Sequence, residues 1–292
     1  MSGAGTGGGA GERAGEGRGA PVPFVIMAAP NGARRTQSDH PNLPVTPAGL
    51  AYTAAACLEA GAAALHLHVR DRNQQHILDP DAYRDALSAI RQTVGDRLVL
   101  QITTEAVGRY TAPEQQAVVR AVRPESVSVA LREMIPDPAH EQAAAAFYDW
   151  CGREAVAVQH ILYDAADVIR FNEALNRGIV PSDGGSVLFV LGRYLVNRPA
   201  TPSDIVPFIN NWPDKLLWAL CCFGNGEARA SLTAALLGGH CRVGFENNLE
   251  LSDGSRADGN EDLVAQVATA VSGCPPIGRA LATADDARTL GF

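Results

Sequence analysis

The chain has 292 residues, 46% of them hydrophobic and 19% charged, and a net charge of −8. That acidity argues against a general nucleic-acid surface, which depends on clustered Lys and Arg, and no apolar run approaches the length of a membrane span. The six cysteines, Cys57, Cys151, Cys221, Cys222, Cys241 and Cys274, lack CxxC spacing and lie mostly in apolar stretches, so they read as reduced thiols of a cytoplasmic protein.

Residues 1–21 form a Gly-rich stretch with no apolar signal-peptide core. Such a segment buries too little surface to offset its ordering entropy, which predicts a disordered tail. Residues 22–292 are expected to form one domain.

From there strand-like and helix-like segments alternate. The strands are predicted at Phe24–Ala28, Ala63–His68, Leu98–Thr103, Ser126–Ala130, Val156–Leu162, Ser186–Leu191, Lys215–Cys221 and Cys241–Phe245. The helices are predicted at Pro47–Ala60, Pro80–Val94, Pro113–Val122, Pro138–Glu154, Ala165–Arg177, Pro202–Asn210, Glu227–Leu237 and Asn260–Val271. Thr46-Pro47 and Asp79-Pro80 place a capping side chain before a proline, a helix-start signature. Eight alternations predict an α/β fold with a parallel sheet, most simply a closed (β/α)8 TIM barrel. A doubly wound open sheet is the alternative. No Gly-x-Gly-x-x-Gly follows the first strand, and Gly224-Asn225-Gly226 is too short and too late to carry a dinucleotide site.

Active sites of such barrels collect at the C-terminal ends of the strands, where the unusual residues fall. His66 and His68 close the second strand one residue apart, so both imidazoles face the same way and make two ligands for a borderline metal. Such a pair can equally be buried polar filling. In a closed barrel the second and eighth strands flank the first, so Glu246 could complete a His2Glu set; a solvated loop carboxylate is the other reading. Arg242 shares parity with Glu246. Arg34 and Arg35, after the first strand, suit carboxylate or phosphate recognition, or form surface ion pairs. Thr103 and Thr104, ending the third strand, could donate hydroxyls to an anion or simply favour the strand.

Taken in order, Pro30-Asn31-Gly32-Ala33-Arg34-Arg35-Thr36, His40-Pro41-Asn42-Leu43-Pro44-Val45-Thr46-Pro47, His66-Leu67-His68-Val69-Arg70-Asp71, Phe189-Val190-Leu191-Gly192, Gly238-Gly239-His240, Arg242-Val243-Gly244 with Glu246, and Thr289-Leu290-Gly291 resemble the β-keto acid cleavage enzymes. The founding activity of that family is 3-keto-5-aminohexanoate cleavage, and the resemblance spans residues 22–292. It implies a (β/α)8 barrel with one Zn2+ per chain on His66, His68 and Glu246. It also implies acetyl-CoA as co-substrate, with a β-keto acid exchanged for acetoacetate and a new acyl-CoA. By the same resemblance Arg242 orients the keto acid beside the metal, Thr103 or Thr104 contacts the substrate carboxylate, and the protein is a homotetramer.

Three departures stand out. Asn247 replaces the family aspartate that takes part in deprotonation; an amide cannot accept that proton, but Asn247 can still serve the site by orienting Arg242 or a water. Glu105-Ala106 stands where relatives often have Gly-Gly, making Glu105 a candidate replacement base or a solvent-facing residue. Arg34 stands where the aminohexanoate enzyme has an amine-reading glutamate, which predicts a substrate with an anionic or polar far end; the alternatives are a contact to CoA phosphates or an ion pair with Asp39 or Glu105. Two other functions remain: a zinc aldolase-like lyase without CoA, and a metal-binding barrel that has lost catalysis and binds a small keto acid. His40, His76, His140, His160 and His240 have no predicted role in the site; for His240 a structural one is favoured.

Overall fold

The computed structural model describes residues 21–183, 185–194, 198–213 and 216–292. The expected tail lies outside the described residues except for Pro21, and so does Lys215 at the expected start of the seventh strand.

Eight strands form the barrel: β1 (Ile26–Ala28), β2 (Ala64–Leu67), β3 (Val99–Thr103), β4 (Ser126–Ala130), β5 (Ala157–Leu162), β6 (Gly185–Leu191), β7 (Leu217–Cys222) and β8 (His240–Val243). Each pairs in parallel with its sequence neighbours, and β8 returns to β1, with Met27 opposite Arg242. That pairing closes the sheet and excludes the open doubly wound alternative. The main helices are α1 (Pro47–Glu59), α2 (Pro80–Val94), α3 (Ala112–Val122), α4 (Glu141–Arg153), α5 (Ala165–Asn176), α6 (Val206–Ile209), α7 (Glu227–Leu236) and α8 (Asn260–Ser272). The caps form as expected: Thr46 accepts from Gly49 N at 3.1 Å and Asp79 from Ala82 N at 2.8 Å.

Two expected helices begin with separate tighter turns. Pro138–His140 and Pro202–Ile205 are 3₁₀ segments ahead of α4 and α6. In the second case Pro207, near the start of α6, has no N–H with which to continue a longer helix. Single turns at Leu131–Met134 and Ala284–Thr289, and a hairpin pairing Val69–Arg70 with His76–Ile77, add to the expected elements.

Strand parity sorts the interior into two layers. Leu65, Leu67, Leu100, Ile102, Val127 and Val129 point out against the helices. The lumen takes Met27, Val99, Leu188, Val190, Ala219 and Cys221, together with polar rungs. Gln101 Nε2 donates to Ser126 Oγ at 3.2 Å, and Gln159 Nε2 to Ser186 Oγ at 3.2 Å. At the N-terminal end Phe292 and His240 plug the barrel. His240 Nδ1 accepts from Val25 N at 3.0 Å, and its ring lies 5.0 Å from that of Phe292. His240 is thus structural and sits at the end away from the strand C-termini. Among the described residues no helix is long and apolar enough to cross a membrane, and all six cysteines are unpaired, five of them buried and Cys274 partly exposed.

Candidate metal and substrate site

Barrel closure brings β8 within one strand of β2, and the three expected ligands meet at the C-terminal mouth. His66 Nε2 lies 3.1 Å from His68 Nε2, and each is 3.5 Å from Glu246 Oε2. Donors about 2.0–2.1 Å from a tetrahedral ion sit roughly 3.3 Å apart, so the triangle has the dimensions of a three-ligand face. Glu246 Oε2 is buried with no hydrogen-bond partner, the state of an oxygen whose partner is a cation. His66 Nδ1 lies 2.8 Å from Gln101 Oε1, whose amide is oriented by Ser126. An amide oxygen only accepts, so His66 carries its proton on Nδ1 and presents a lone pair at Nε2. Burial, aided by Arg242, holds His66 well below its ordinary pKa and keeps it neutral. Burial works to raise the Glu246 carboxyl, but the Arg242 guanidinium opposes it and holds the carboxylate ionised. The donor set therefore fits a divalent metal.

The loop after β1 shapes this triangle. Asn31 brackets the His68 backbone, accepting from its N–H at 3.2 Å and donating to its carbonyl at 2.9 Å. Gly32 has φ +60°, and a Cβ there would meet Glu246 Cγ at 2.6 Å, so the carboxylate occupies space that only glycine leaves. Arg70, two residues beyond His68, is buried. Its guanidinium donates to the carbonyls of Gly32, Asn31 and Arg35, the last two at 3.1 and 3.0 Å.

Arg242 rises from β8 into the lumen. Nη2 donates to Glu246 Oε1 at 3.0 Å and touches Cys221 Sγ at 3.7 Å, while Nε and Nη1 are buried without partners. Beside it opens a cleft lined by His66, Thr103, Glu105, Ser128, Glu133, Tyr163, Arg193, Phe223 and Glu246, among others. Thr103 lines it, while its Oγ1 accepts from Glu105 N at 3.0 Å. Thr104 points away and donates to Ser128 O at 3.0 Å. Glu105 reaches the cavity with its carboxylate held by Arg193 Nη2 at 2.8 Å. Arg34 is exposed at an adjoining recess shared with Arg35, Glu105, Arg193 and Glu246. Arg35 is committed to the backbone, donating to the carbonyls of Phe245 and Asn247, the latter at 3.4 Å.

Asn247 is fully buried behind the site and does not line the cavity. Its amide donates to Glu227 Oε1 at 3.2 Å and to Arg242 O at 3.1 Å. Three participants were missing from the sequence reading. Glu133 lines the cavity from the turn after β4, Arg193 follows β6, and the His76 ring lies 5.0 Å from His68. The Gly192-Arg193 step after a barrel strand was a usable signal for the arginine; Glu133 follows an unremarkable apolar strand and gave none.

A closed (β/α)8 barrel thus carries three convergent N and O donors at its C-terminal mouth, a candidate metal site, beside a buried arginine that keeps two donors without partners. The profile of the β-keto acid cleavage enzyme family matches residues 23–291, and the chain belongs to that family. It is 28% identical to a 3-oxoadipate:acetyl-CoA acetyltransferase of Cupriavidus necator over 92% of this chain and 94% of that protein. It is 27% identical to a 3-keto-5-aminohexanoate cleavage enzyme of Fusobacterium nucleatum, over 91% and 97% respectively. The solved apo structure of ObcA aligns with a TM-score of 0.66 at 16% identity, over 86% of this chain and 66% of that one, a likeness of fold.

Proposed function

We propose that the protein is a zinc-dependent β-keto acid cleavage enzyme that condenses a β-keto acid with acetyl-CoA, giving acetoacetate and a new acyl-CoA. The observation that carries this reading is Arg242: a buried guanidinium with Nε and Nη1 unpaired, facing the cavity beside the His66–His68–Glu246 triangle. Unpaired buried donors are costly, and a carboxylate in the cavity would satisfy one of them through a charge-assisted hydrogen bond. A keto acid bound this way sets its ketone toward the triangle. A divalent ion held by His66, His68 and Glu246 would polarise that ketone as a Lewis acid. Thr103, on the same cavity wall, offers a hydroxyl to the substrate carboxylate.

At the far end, Arg34 places an exposed guanidinium on the rim of the recess, where Arg193 is already paired with Glu105, and this suits an anionic or strongly polar substituent such as the second carboxylate of a β-keto dicarboxylate. The Cupriavidus relative, named for 3-oxoadipate, is in keeping with that choice. A homotetramer in the cytoplasm completes the proposal.

The test is formation of acetoacetate and acyl-CoA from acetyl-CoA and a panel of β-keto acids, with zinc added or chelated. Zinc-dependent product, best with a dicarboxylate, is expected. Cleavage that proceeds without acetyl-CoA would replace this reading with a lyase, and faster turnover of 3-keto-5-aminohexanoate than of the dicarboxylate would overturn the substrate assignment.

A further inference from the structure

Carbon–carbon chemistry at a keto acid needs a group that moves a proton at C2, and Asn247 cannot be that group. The carboxyls near the site can be taken in turn. Glu246 is aimed at the triangle and at Arg242. Glu227 is buried outside the cavity and saturated by donors, accepting from Gly244 N at 3.0 Å and from the Asn247 and Asn248 amides at 3.2 and 3.3 Å. Glu105 faces the cavity but is held by Arg193 as an ion pair. Glu133 differs from all three. It stands on the turn Leu131–Met134 at the C-terminal end of β4, lines the cavity, and spends Oε2 on the Ala106 N–H at 3.1 Å, while no described bond uses Oε1.

We propose that Glu133 is the proton-transfer residue of this site, taking a proton from C2 of the bound β-keto acid and later returning it to the acetoacetate product. The assignment rests on the function proposed above. In the first step the C2–H bond breaks, its electron pair stays on the substrate as an enolate, and the proton passes to the Glu133 carboxylate. The enolate carbon bonds to the acetyl carbonyl and CoA thiolate leaves. The thiolate then adds to the original keto carbon, the carbon–carbon bond breaks, and the acetoacetate enolate takes the proton back. One proton leaves and one returns, so no further co-reactant is needed.

The surroundings suit the role. Burial pushes the Glu133 carboxyl up to about 7, with Glu105 adding to the rise and the Ala106 N–H, Arg132 and Arg193 opposing it. A base near neutrality combines availability with driving force. The charged and titratable groups that act on it are Glu105 after β3, Tyr163 after β5, Arg193 after β6, and Arg132 beside it, which in turn pairs with Asp164 and Asp167. Most of them are already paired. Arg132 Nη2 bonds Asp164 and Asp167 at 2.8 and 2.6 Å, and Arg170 lies 3.8 Å from Asp167. Burial raises the Tyr163 phenol further above its ordinary value, keeping it a neutral donor.

The experiment follows exchange of the C2 hydrogens of a β-keto acid with deuterated solvent by NMR, without acetyl-CoA, alongside calorimetric binding of the same acid to the metal-loaded protein. Glu133→Gln keeps an acceptor for Ala106 N–H and should lower enzyme-catalysed exchange about 100-fold or more, with binding retained within about threefold. Glu133→Asp should restore part of the exchange with a shifted pH midpoint. Wild-type exchange in Glu133→Gln, or exchange and binding lost together, would overturn the assignment. Wild-type enzyme that exchanges C2 protons but forms no acyl-CoA would sink the transferase reading and leave Glu133 standing; a wild type that does neither removes both.

Discussion

The Asn247 amide donates to Glu227 Oε1 at 3.2 Å, inside a pocket where Glu227 has no exposure at all. The amide therefore serves a buried carboxyl that needs donors, and its carbonyl partner on Arg242 ties the pair to the strand that bears the site. An aspartate at 247 would replace a donor with a second acceptor.

Asn247→Asp should therefore lower turnover rather than raise it, and should destabilise the fold by about 2–4 kcal/mol at pH 8. Two buried carboxyls in contact must hold a proton between them, so the penalty shrinks as pH falls toward 5. Urea unfolding at the two pH values checks this; an equally stable variant at pH 8 would refute it.

Glu227 itself supplies a pH prediction. Burial raises its carboxyl from 4.5 to about 7 in the native state. The native protein then holds a proton that the unfolded chain releases, so this group costs stability as pH rises from about 4.5 through 7. Relative to Glu227→Gln, which does not titrate, wild type should lose about 2.5 kcal/mol between pH 5 and pH 8. Parallel stability curves for the two proteins would contradict this.

Gly32→Ala places a methyl group 2.6 Å from Glu246 Cγ on a backbone with φ +60°. The carboxylate must shift, and metal affinity should fall at least tenfold, with a stability loss of about 1–3 kcal/mol. Metal content per chain after dialysis, read with the melting temperature, separates the two effects.

Gln101→Leu removes the acceptor that holds the His66 proton on Nδ1. Metal affinity should drop 10- to 100-fold with the ligands themselves intact. Competition against a chelator of known affinity gives the number, and unchanged affinity would mean that the tautomer is set some other way.

Arg34→Glu reverses the charge at the rim of the recess. KM for a β-keto dicarboxylate should rise about tenfold while kcat changes little, because the exposed side chain binds ground and transition states alike. An equal loss with an uncharged β-keto acid would show that Arg34 does not read the far end.

The strands and most helices were legible along the chain because burial leaves a local signature. Alternation in Ala64-Leu65-His66-Leu67-His68 set both imidazoles on one face, and Thr46 and Asp79 announced helices they do cap. Glu246 became a third ligand only by the assumption of a closed barrel, since it lies about 180 positions from His66 in sequence. The pairing of β8 with β1 and of β1 with β2 makes that assumption a contact.

What the chain alone could not disclose is how its long side chains are spent. Arg34 and Arg35 are the same residue type in adjacent positions, yet Arg35 turns inward to the carbonyls of Phe245 and Asn247 while Arg34 stays at the rim. Arg70 carries a full charge, yet it is buried where three carbonyls of the folded loop accept from it. Glu105 looked like a free base until Arg193, 88 residues away, arrived beside it, and Glu133 drew no notice until the cavity formed around it. Periodicity and capping depend on neighbours within a few residues, so they are written locally. The partner of a guanidinium or the burial of a carboxyl depends on elements that only barrel closure brings together, and that is where the candidate chemistry of this protein was decided.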